Sequence, residues 1–378
     1  MKKPLMGGTG VLSLALAALI VSCSSEADGR APLATGVQGT VAFVDVTVIP
    51  MDRERTLPNQ TVVVRNGRIV SVGPSAQAAV PDDAIRIDGR GKFLMPGLAE
   101  MHAHVQGPQA QNAEQLNRDI MFLYVANGIT SIRAMLGAPN QLVLRDQLAK
   151  GEVLGPTMYV AAPSLNGQSA PDAPTATRLV RTHKEAGYDL LKIHPGLNRA
   201  AYDAIVSTAL EVGITWAGHV SAQIGVEHIL DTKQSTIDHL DGYIEAAATP
   251  GQANLPQSWR TVTDARLAEL AQKSKAAGTW NVPTMFLWES FFMPGSPEEW
   301  AQREEMKYAP KQWVNGWMNQ KRQRIALDAQ NGVAHADAAL HISLRRKMLK
   351  ALADAGAPLL MGTDSPQMFN VPGFALHR

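Results

Sequence analysis

The sequence has a single cysteine, Cys23, so no disulfide can form within the chain. Neither sign of charge is in excess, because the 378 residues carry a net charge of only +1. That balance lacks the basic surface that nucleic-acid binding requires, and we expect no nucleic-acid partner. The N-terminal apolar run, residues 11–21, is too short to favour a membrane span. What remains is the composition of a globular protein, 45% hydrophobic and 18% charged.

The N-terminus has the pattern of a targeting segment. A pair of lysines precedes the apolar run, which ends in the residues IVSC. This ending resembles the lipobox of bacterial lipoproteins, in which the cysteine is acylated and becomes the mature N-terminus. The resemblance implies a signal peptide over residues 1–22, lipidation of Cys23 and a flexible tether over residues 23–35. It also implies a bacterial cell-envelope location, at the periplasmic side of the membrane or at the cell surface, with the membrane as a partner through the lipid anchor.

Residues 36–92 predict a small β domain. Val41 to Ile49 is rich in β-branched residues, which favour strands. Two further strands flank Asn66-Gly67, a pair that suits the type I′ turn of a β-hairpin. Another short strand is expected from Ile85 to Ile87. The chain therefore begins with a small sheet ahead of its larger domain.

From residue 93 to residue 378 the pattern alternates between strand and helix. The predicted helices end at glycines, as at Gly213 and Gly278, which are common C-terminal stops. Eight strands are expected, the first ending at His104 and the last running from Leu359 to Thr363. This rhythm predicts an α/β fold of the (β/α)8 TIM-barrel type, with a doubly wound open sheet as the alternative.

Two histidines stand one residue apart at the end of the first predicted barrel strand. Alternate side chains of a strand share a face, so His102 and His104 project the same way and can hold one metal ion. Active sites of such barrels lie at the C-terminal ends of the strands. The other strand ends add four residues that the fold would bring to the same rim: Lys192, His219, His239 and Asp364.

At these residues the chain resembles the amidohydrolase superfamily, and within it the branch of imidazolonepropionases and Xaa-Pro-type dipeptidases. The resemblance covers residues 40–378 and rests on the small β domain and on the motifs PGLAEMHAH, DLLKIH, WAGHV, TIDHL and MGTDS. It implies a TIM barrel with a small N-terminal β-sandwich domain. It also implies two divalent metal ions, with zinc expected, and the following ligands: His102, His104 and Asp364 for one ion, His219 and His239 for the other, and Lys192, carboxylated by CO2, as the bridge.

The resemblance further implies the reaction. Two metals ~3.5–4 Å apart would share a hydroxide that attacks the scissile carbonyl. Asp364 would take the proton and pass it to the leaving amine. We expect an enzyme that hydrolyses amide or peptide bonds of small substrates, namely dipeptides or N-acyl amino acids.

Two other functions stay open on the sequence. One is hydrolysis of a cyclic amide, an ester or a lactone by the same metals. The other is a non-catalytic, metal-dependent binding lipoprotein. Lys192 argues against a mononuclear site of the imidazolonepropionase type, which lacks the bridging lysine.

Three further residues are candidates for substrate contacts. His194 lies on the rim face of its strand, and Tyr243 follows the sixth strand. Arg133 ends the second strand, where it could neutralise a substrate carboxylate or form an ion pair within the barrel. The remaining histidines fall on predicted helices or loops, and we expect them to be solvated, His183 and His341 included.

Five of the seven tryptophans lie between residues 280 and 317, directly after the seventh strand. A segment in that place overhangs the rim and could act as a lid that lines an apolar pocket. It could instead form the contact of a homo-oligomer, or it could pack on the barrel as a helical hairpin.

Only fourteen residues follow Asp364. The resemblance implies one more barrel helix beyond that point, and then further strands of the small β domain. We therefore expect a sequence truncated at its C-terminus. The β-sandwich would then be incomplete, the last barrel helix missing, and Leu359 and Met361 uncovered.

Overall fold

The structure, a computed structural model, describes residues 39–249 and 256–378. The predicted signal peptide, the lipidation site Cys23 and the tether lie outside the described residues, so these stay predictions. Within the described residues, no helix combines the length and the hydropathy needed to cross a membrane.

A small mixed sheet opens the described chain. Its strands are β1 (Thr40–Val48), β2 (Leu57–Arg65), β3 (Arg68–Pro74), β4 (Ile85–Asp88) and β5 (Phe93–Leu94). β2 and β3 form an antiparallel hairpin on one side of β1, while β4 and β5 pair parallel with its other side. Asn66 and Gly67 join β2 to β3 with φ angles of 49° and 74°. These left-handed values are those of the predicted type I′ turn.

The middle of this sheet is packed, whereas its outer strands are exposed. Val46, Val48 and Val62, on the central strands β1 and β2, form a small buried core. Ile69 on β3 is 67% exposed and Ile85 on β4 is 63% exposed. The described residues therefore build a single layer of the predicted β-sandwich.

The larger unit alternates strands and helices, as expected. Its strands are β6 (Leu98–Ala103), β7 (Ile129–Ala134), β8 (Thr157–Val160), β9 (Leu190–Ile193), β10 (Thr215–Gly218), β11 (Thr236–Asp238) and β12 (Trp280–Val282). The helices are α1 (Ala113–Ala126), α2 (Pro139–Ala149), α3 (Ala173–Glu185), α4 (Arg199–Val212), α5 (Val226–Asp231), α6 (Tyr243–Ala247), α7 (Pro256–Trp259), α8 (Asp264–Ala277), α9 (Met285–Phe292), α10 (Pro297–Ala301), α11 (Lys311–Gln330) and α12 (His335–Ala355). Two short 3-10 helices cover Glu304–Tyr308 and Phe374–His377.

The barrel closes through an eighth extended segment, residues 359–365. Parallel pairing runs through β6-β7-β8 and through β9-β10-β11-β12, and isolated bridges join the two sets. On the other side, Leu359 pairs with Asn281 of β12 and Ser365 pairs with Ala103 of β6. The predicted (β/α)8 barrel is thus confirmed, although its eighth member pairs only through isolated bridges.

Helices cover the strands with apolar stripes. Ile120 of α1, Ile205 of α4, Leu270 of α8 and Met348 of α12 are at most 2% exposed and belong to one continuous core. The α12 helix begins at His335, whereas the sequence pattern predicts a start at Ile342. Met361 of the closing segment is 47% exposed.

The tryptophan-rich segment after β12 folds into α9, α10, a 3-10 turn and α11. Trp300 and Trp317 are each 6% exposed and pack with Met368 and Phe369 near the C-terminus. Burial of this kind indicates helical packing on the barrel for these two tryptophans. Trp280, at the start of β12, is 44% exposed.

Candidate metal centre

Three of the predicted ligands meet where β6 lies beside segment 359–365. His102, on β6, is 1% exposed, and His104 directly follows the strand. Nε2 of His104 lies 2.5 Å from Oδ1 of Asp364, and Nε2 of His102 lies 3.5 Å from the same oxygen. One candidate ligand atom from each residue falls within 4.8 Å of the other two. A single cation could therefore be held by all three.

Lys192 reaches the same place from β9. Its side chain is fully buried, and its Nζ lies 3.4 Å from Nε2 of His102. Burial lowers the pKa of Lys192, which favours the neutral amine. Gly218 on β10 leaves room for it, because a Cβ there would lie 3.2 Å from Cδ of Lys192 and would collide with a neighbouring carbonyl oxygen.

His219 and His239 complete the cluster from the ends of β10 and β11. Their ring centroids are 4.6 Å apart, and the His239 centroid is 4.5 Å from that of His102. His194, at the end of β9, stacks at 4.7 Å on His219. Burial lowers the pKa values of His102 and His239 well below the usual range, and that of His194 to about 3. Neutral imidazoles of this kind present lone pairs to a cation.

The outer nitrogens of these rings are already in contact with other groups. Nδ1 of His219 donates to Asp241 at 2.7 Å, and Nδ1 of His239 lies 2.8 Å from the Thr284 hydroxyl. Nδ1 of His194 lies 2.6 Å from the hydroxyl of Ser164. Partners of this kind fix the ring orientation and are typical of metal-ligating histidines.

Asp238 is a buried neighbour of the cluster that the sequence pattern did not single out. It is fully buried, and its Oδ2 lies 2.9 Å from Nδ1 of His102 and 3.9 Å from Nζ of Lys192. Burial alone would raise the pKa of Asp238, but the charges of Arg133 and Lys192 hold it below the usual range. The available signal was its position on a buried strand, where it shares a face with Thr236 and precedes His239.

Glu100 was also missed, although it lies within the PGLAEMHAH motif. One carboxylate oxygen accepts the backbone N–H groups of His102 and Thr363, each at 2.9 Å, and the other accepts the Thr363 hydroxyl at 2.6 Å. Burial raises the pKa of Glu100 to about 7. The residue therefore ties the first strand of the barrel to the closing segment, beside ligands on both.

The other two candidates for substrate contacts, Arg133 and Tyr243, have partners within the protein. Arg133 is buried, donates to the Met101 carbonyl at 2.8 Å, and pairs with Asp238 at 3.3 Å. An ion pair within the barrel was one of the two roles expected for Arg133. Tyr243 is fully buried in α6, and its hydroxyl donates to Asn281 at 2.8 Å. Its hydroxyl is therefore bonded inside the core, where a substrate does not reach it.

Three residues in or beside this cluster have strained backbone conformations. His239, Thr284 and Asp364 have φ angles of 64°, 45° and 66°, in the left-handed region that side chains other than glycine rarely adopt. Each such residue costs roughly 1–3 kcal/mol and persists only where its surroundings hold it. For His239 the consequence is direct, since β11 ends at Asp238 and the left-handed residue sets the direction of the imidazole.

Comparison with known proteins identifies the family. Residues 93–376, three quarters of the chain, match the Amidohydrolase family. The chain belongs to that family. Imidazolonepropionase of Salmonella paratyphi C (strain RKS4594) is 25% identical over 231 residues, which cover 59% of this chain and 49% of that protein. The chain spans about half the length of the imidazolonepropionase, and less of some other curated relatives.

Solved structures share the fold at low identity. Bottromycin amidohydrolase matches with a TM-score of 0.66 and 22% identity, over 91% of this chain and 73% of that one. A Xaa-Pro dipeptidase with methionine bound in its active site matches with a TM-score of 0.62 and 16% identity, over 89% and 82%. These likenesses support the barrel architecture.

Members of this family hold divalent metals, and the residues present fit such ions. Burial keeps the imidazoles of His102 and His239 neutral, the Asp364 carboxylate faces the rings of His102 and His104, and the Lys192 amine, with its lowered pKa, lies among them. Nitrogen and carboxylate donors are the set that zinc prefers.

Proposed function

We propose that this chain is a binuclear metal-dependent amidohydrolase that cleaves amide or peptide bonds of small substrates. The observation that carries the proposal is the convergence of six residues of the expected types on one end of the barrel: His102, His104, Lys192, His219, His239 and Asp364. Family membership supports the same class of reaction.

The six residues divide into ligands for two ions and one bridging residue. His102, His104 and Asp364 would hold one ion, and His219 and His239 a second, with Lys192 between them as a carbamate. When bound, the ions would polarise the scissile carbonyl and lower the pKa of the attacking water. A charged ammonium at Lys192 would repel both ions, so its lowered pKa favours the amine form that can react with CO2.

We propose that Asp364 moves the proton. Its carboxylate lies 2.5 Å from Nε2 of His104, at the centre of the cluster. A carboxylate there can accept a proton from water during attack and donate it to the leaving amine. His194 borders the same space, half-buried, and we propose that it contacts substrate.

Dipeptides or N-acyl amino acids are the proposed substrates, supported by the fold shared with a Xaa-Pro dipeptidase. A cyclic amide, ester or lactone is the second candidate class, favoured by the sequence match to imidazolonepropionase. We also propose zinc as the ion and, from the sequence alone, a lipid anchor at Cys23 that places the enzyme in a bacterial cell envelope.

The test begins with metal analysis of the purified chain and a substrate screen across the three classes. We expect two divalent ions per chain and loss of activity on chelation. Lys192→Ala should lower activity roughly 10²–10³-fold, the size of effect that follows loss of one electrostatic contact to a transition state. Small carboxylates should restore part of that activity.

Lys184→Ala, at the exposed end of α3, is the matched control and should behave as wild type. At most one bound ion, together with a fully active Lys192→Ala variant, would contradict the binuclear proposal. Two bound ions without turnover of any class would instead favour a metal-dependent binding protein.

A further inference from the structure

The backbone carbonyl of His239 is held from outside the barrel. The His239 N–H donates to the Val282 carbonyl at 2.7 Å, as a continuation of the pairing with β12. Its own carbonyl leaves the ladder, because His239 and Leu240 are both left-handed, with φ angles of 64° and 54°. A buried carbonyl outside a ladder needs other donors.

Two side chains distant in sequence supply those donors. The indole N–H of Trp288, on α9, donates to the His239 carbonyl at 3.0 Å. The guanidinium of Arg345, on α12, donates to the same oxygen. The positions are 49 and 106 residues after His239, so helices on the outside of the barrel fix the backbone of a residue on its rim.

Arg345 and Trp288 also contact each other directly. The guanidinium carbon lies 3.4 Å from the centroid of the Trp288 ring, and Arg345 is only 2% exposed. Within the described residues, no carboxylate lies at ion-pair distance from this guanidinium. The charges of Asp241 and Glu245 act on the guanidinium from beyond ion-pair distance, so the Trp288 ring and the His239 carbonyl are its direct contacts. Trp288 is braced in turn by Phe292 and His341, whose rings lie 5.8 Å and 5.7 Å away.

We propose that Arg345 and Trp288 are positioning residues that hold the His239 peptide in its left-handed conformation and so aim the His239 imidazole into the metal centre. This inference rests on the proposed function. The ring is fixed at one end by the Thr284 hydroxyl and at the other by its Cα. Without the two donors, the His239–Leu240 peptide can rotate to find another partner, and that rotation displaces the Cα and the ring with it.

Zinc binding by the metal-free full chain tests the proposal. Trp288→Phe keeps an aromatic ring and removes the N–H, while Arg345→Met keeps the length and removes charge and donors. We expect one of the two zinc ions to bind about tenfold more weakly in Trp288→Phe, and about 10–100-fold more weakly in Arg345→Met, as for other groups that orient a ligand. Arg345→Lys should fall in between, because it keeps a donor but loses the planar stack.

The controls are Trp280→Phe, at an exposed tryptophan, and Arg346→Met, an exposed neighbour paired with Glu289. Both should bind zinc as wild type does. On the preferred substrate, the two positioning variants should show lower kcat with little change in KM. Melting of the metal-free proteins separates lost stability from lost affinity.

The outcomes are distinguishable. A wild-type chain that binds fewer than two zinc ions overturns the proposed function, whatever the variants do. A wild-type chain with two ions, and positioning variants with zinc affinities equal to the controls, overturns this inference alone. A lower melting temperature with unchanged zinc affinity does the same, since it indicates packing only. If Arg345→Met does not fold, Trp288→Phe decides the matter.

Discussion

Two regions of the molecule bury the same kinds of side chain and use them differently. Inside the barrel, His102, Lys192 and Arg133 surround the buried carboxylate of Asp238. In the shell between α9, α11 and α12, His341, Arg345 and Lys321 are just as buried. There, Lys321 donates to the carbonyls of Ser290 and Met293 at 2.8 Å and 2.9 Å, and His341 stacks 4.5 Å from Trp259.

The difference lies in the partners. In the shell, carbonyl oxygens and aromatic faces occupy the cationic groups, and among the described residues no carboxylate pairs with Lys321 or Arg345. In the barrel, carboxylates and hydroxyls hold the outer nitrogens while the inner ones face each other. Burial of histidine and lysine alone therefore does not identify a metal centre, whereas opposed lone pairs with oriented outer nitrogens do.

The largest effect should come from Asp364, the carboxylate of the barrel cluster that we propose moves the proton. Asp364→Asn leaves five other ligands, so it should keep appreciable metal, yet lower kcat roughly 10²–10⁴-fold. Steady-state kinetics alongside metal analysis is the measurement. An unchanged kcat would assign the proton transfer elsewhere, with His194 the next candidate.

Asp238→Asn should give a smaller effect by a different route. It removes the charge that faces Nδ1 of His102 and leaves Arg133 and Lys192 without their counter-ion. Metal affinity should fall about 10–100-fold, as for other groups that orient a ligand. Asp231→Asn, at the exposed end of α5, is the control. Equal zinc affinities for the two variants would remove Asp238 from the centre.

Changes in the shell between α9, α11 and α12 should alter the free energy of unfolding rather than metal binding. Burial lowers the pKa of His341 to about 3, from 6.5 in an unfolded chain. Between those values the unfolded state binds more protons, so the free energy of unfolding falls as pH falls. From pH 6.5 to 5 this group should account for about 1.6 kcal/mol.

Urea unfolding of metal-free protein at several pH values tests this. His341→Phe should flatten the pH dependence, whereas His335→Gln, at an exposed position of the same helix, should not. Parallel slopes for wild type and His341→Phe would show that the imidazole does not titrate on unfolding as described.

The sequence predicted most of the barrel because its signals are local. Alternation of apolar strands with helices that end at glycine is visible along the chain, and α4 begins and ends where the pattern placed it, at Arg199 and Val212. The prediction that His102 and His104 share a face required only the two-residue period of a strand. The other ligands are far apart in sequence. They could be grouped only because the C-terminal ends of barrel strands meet at one rim.

What could not be predicted depends on tertiary neighbours. The local pattern does not show the partners of Asp238 and Glu100, which the barrel brings together from distant strands. His183 and His341 were expected to be solvated, but they are 8% and 5% exposed, because neighbouring helices cover those faces of α3 and α12. Tyr243 follows His239 closely in sequence, yet the turn into α6 carries its hydroxyl to Asn281 instead of the rim.

The contact between Glu100 and Thr363 has a consequence for how the protein is made. These residues are 263 positions apart, so β6 leaves the ribosome long before its partner segment does. At ~5–20 residues per second of synthesis, the interval is about 10–50 s. During it, the paired histidines lack both Asp364 and the carboxylate contact that joins the two ends of the barrel. Stable loading of metal should therefore follow synthesis, and an ion retained through purification is a sign that the barrel has closed.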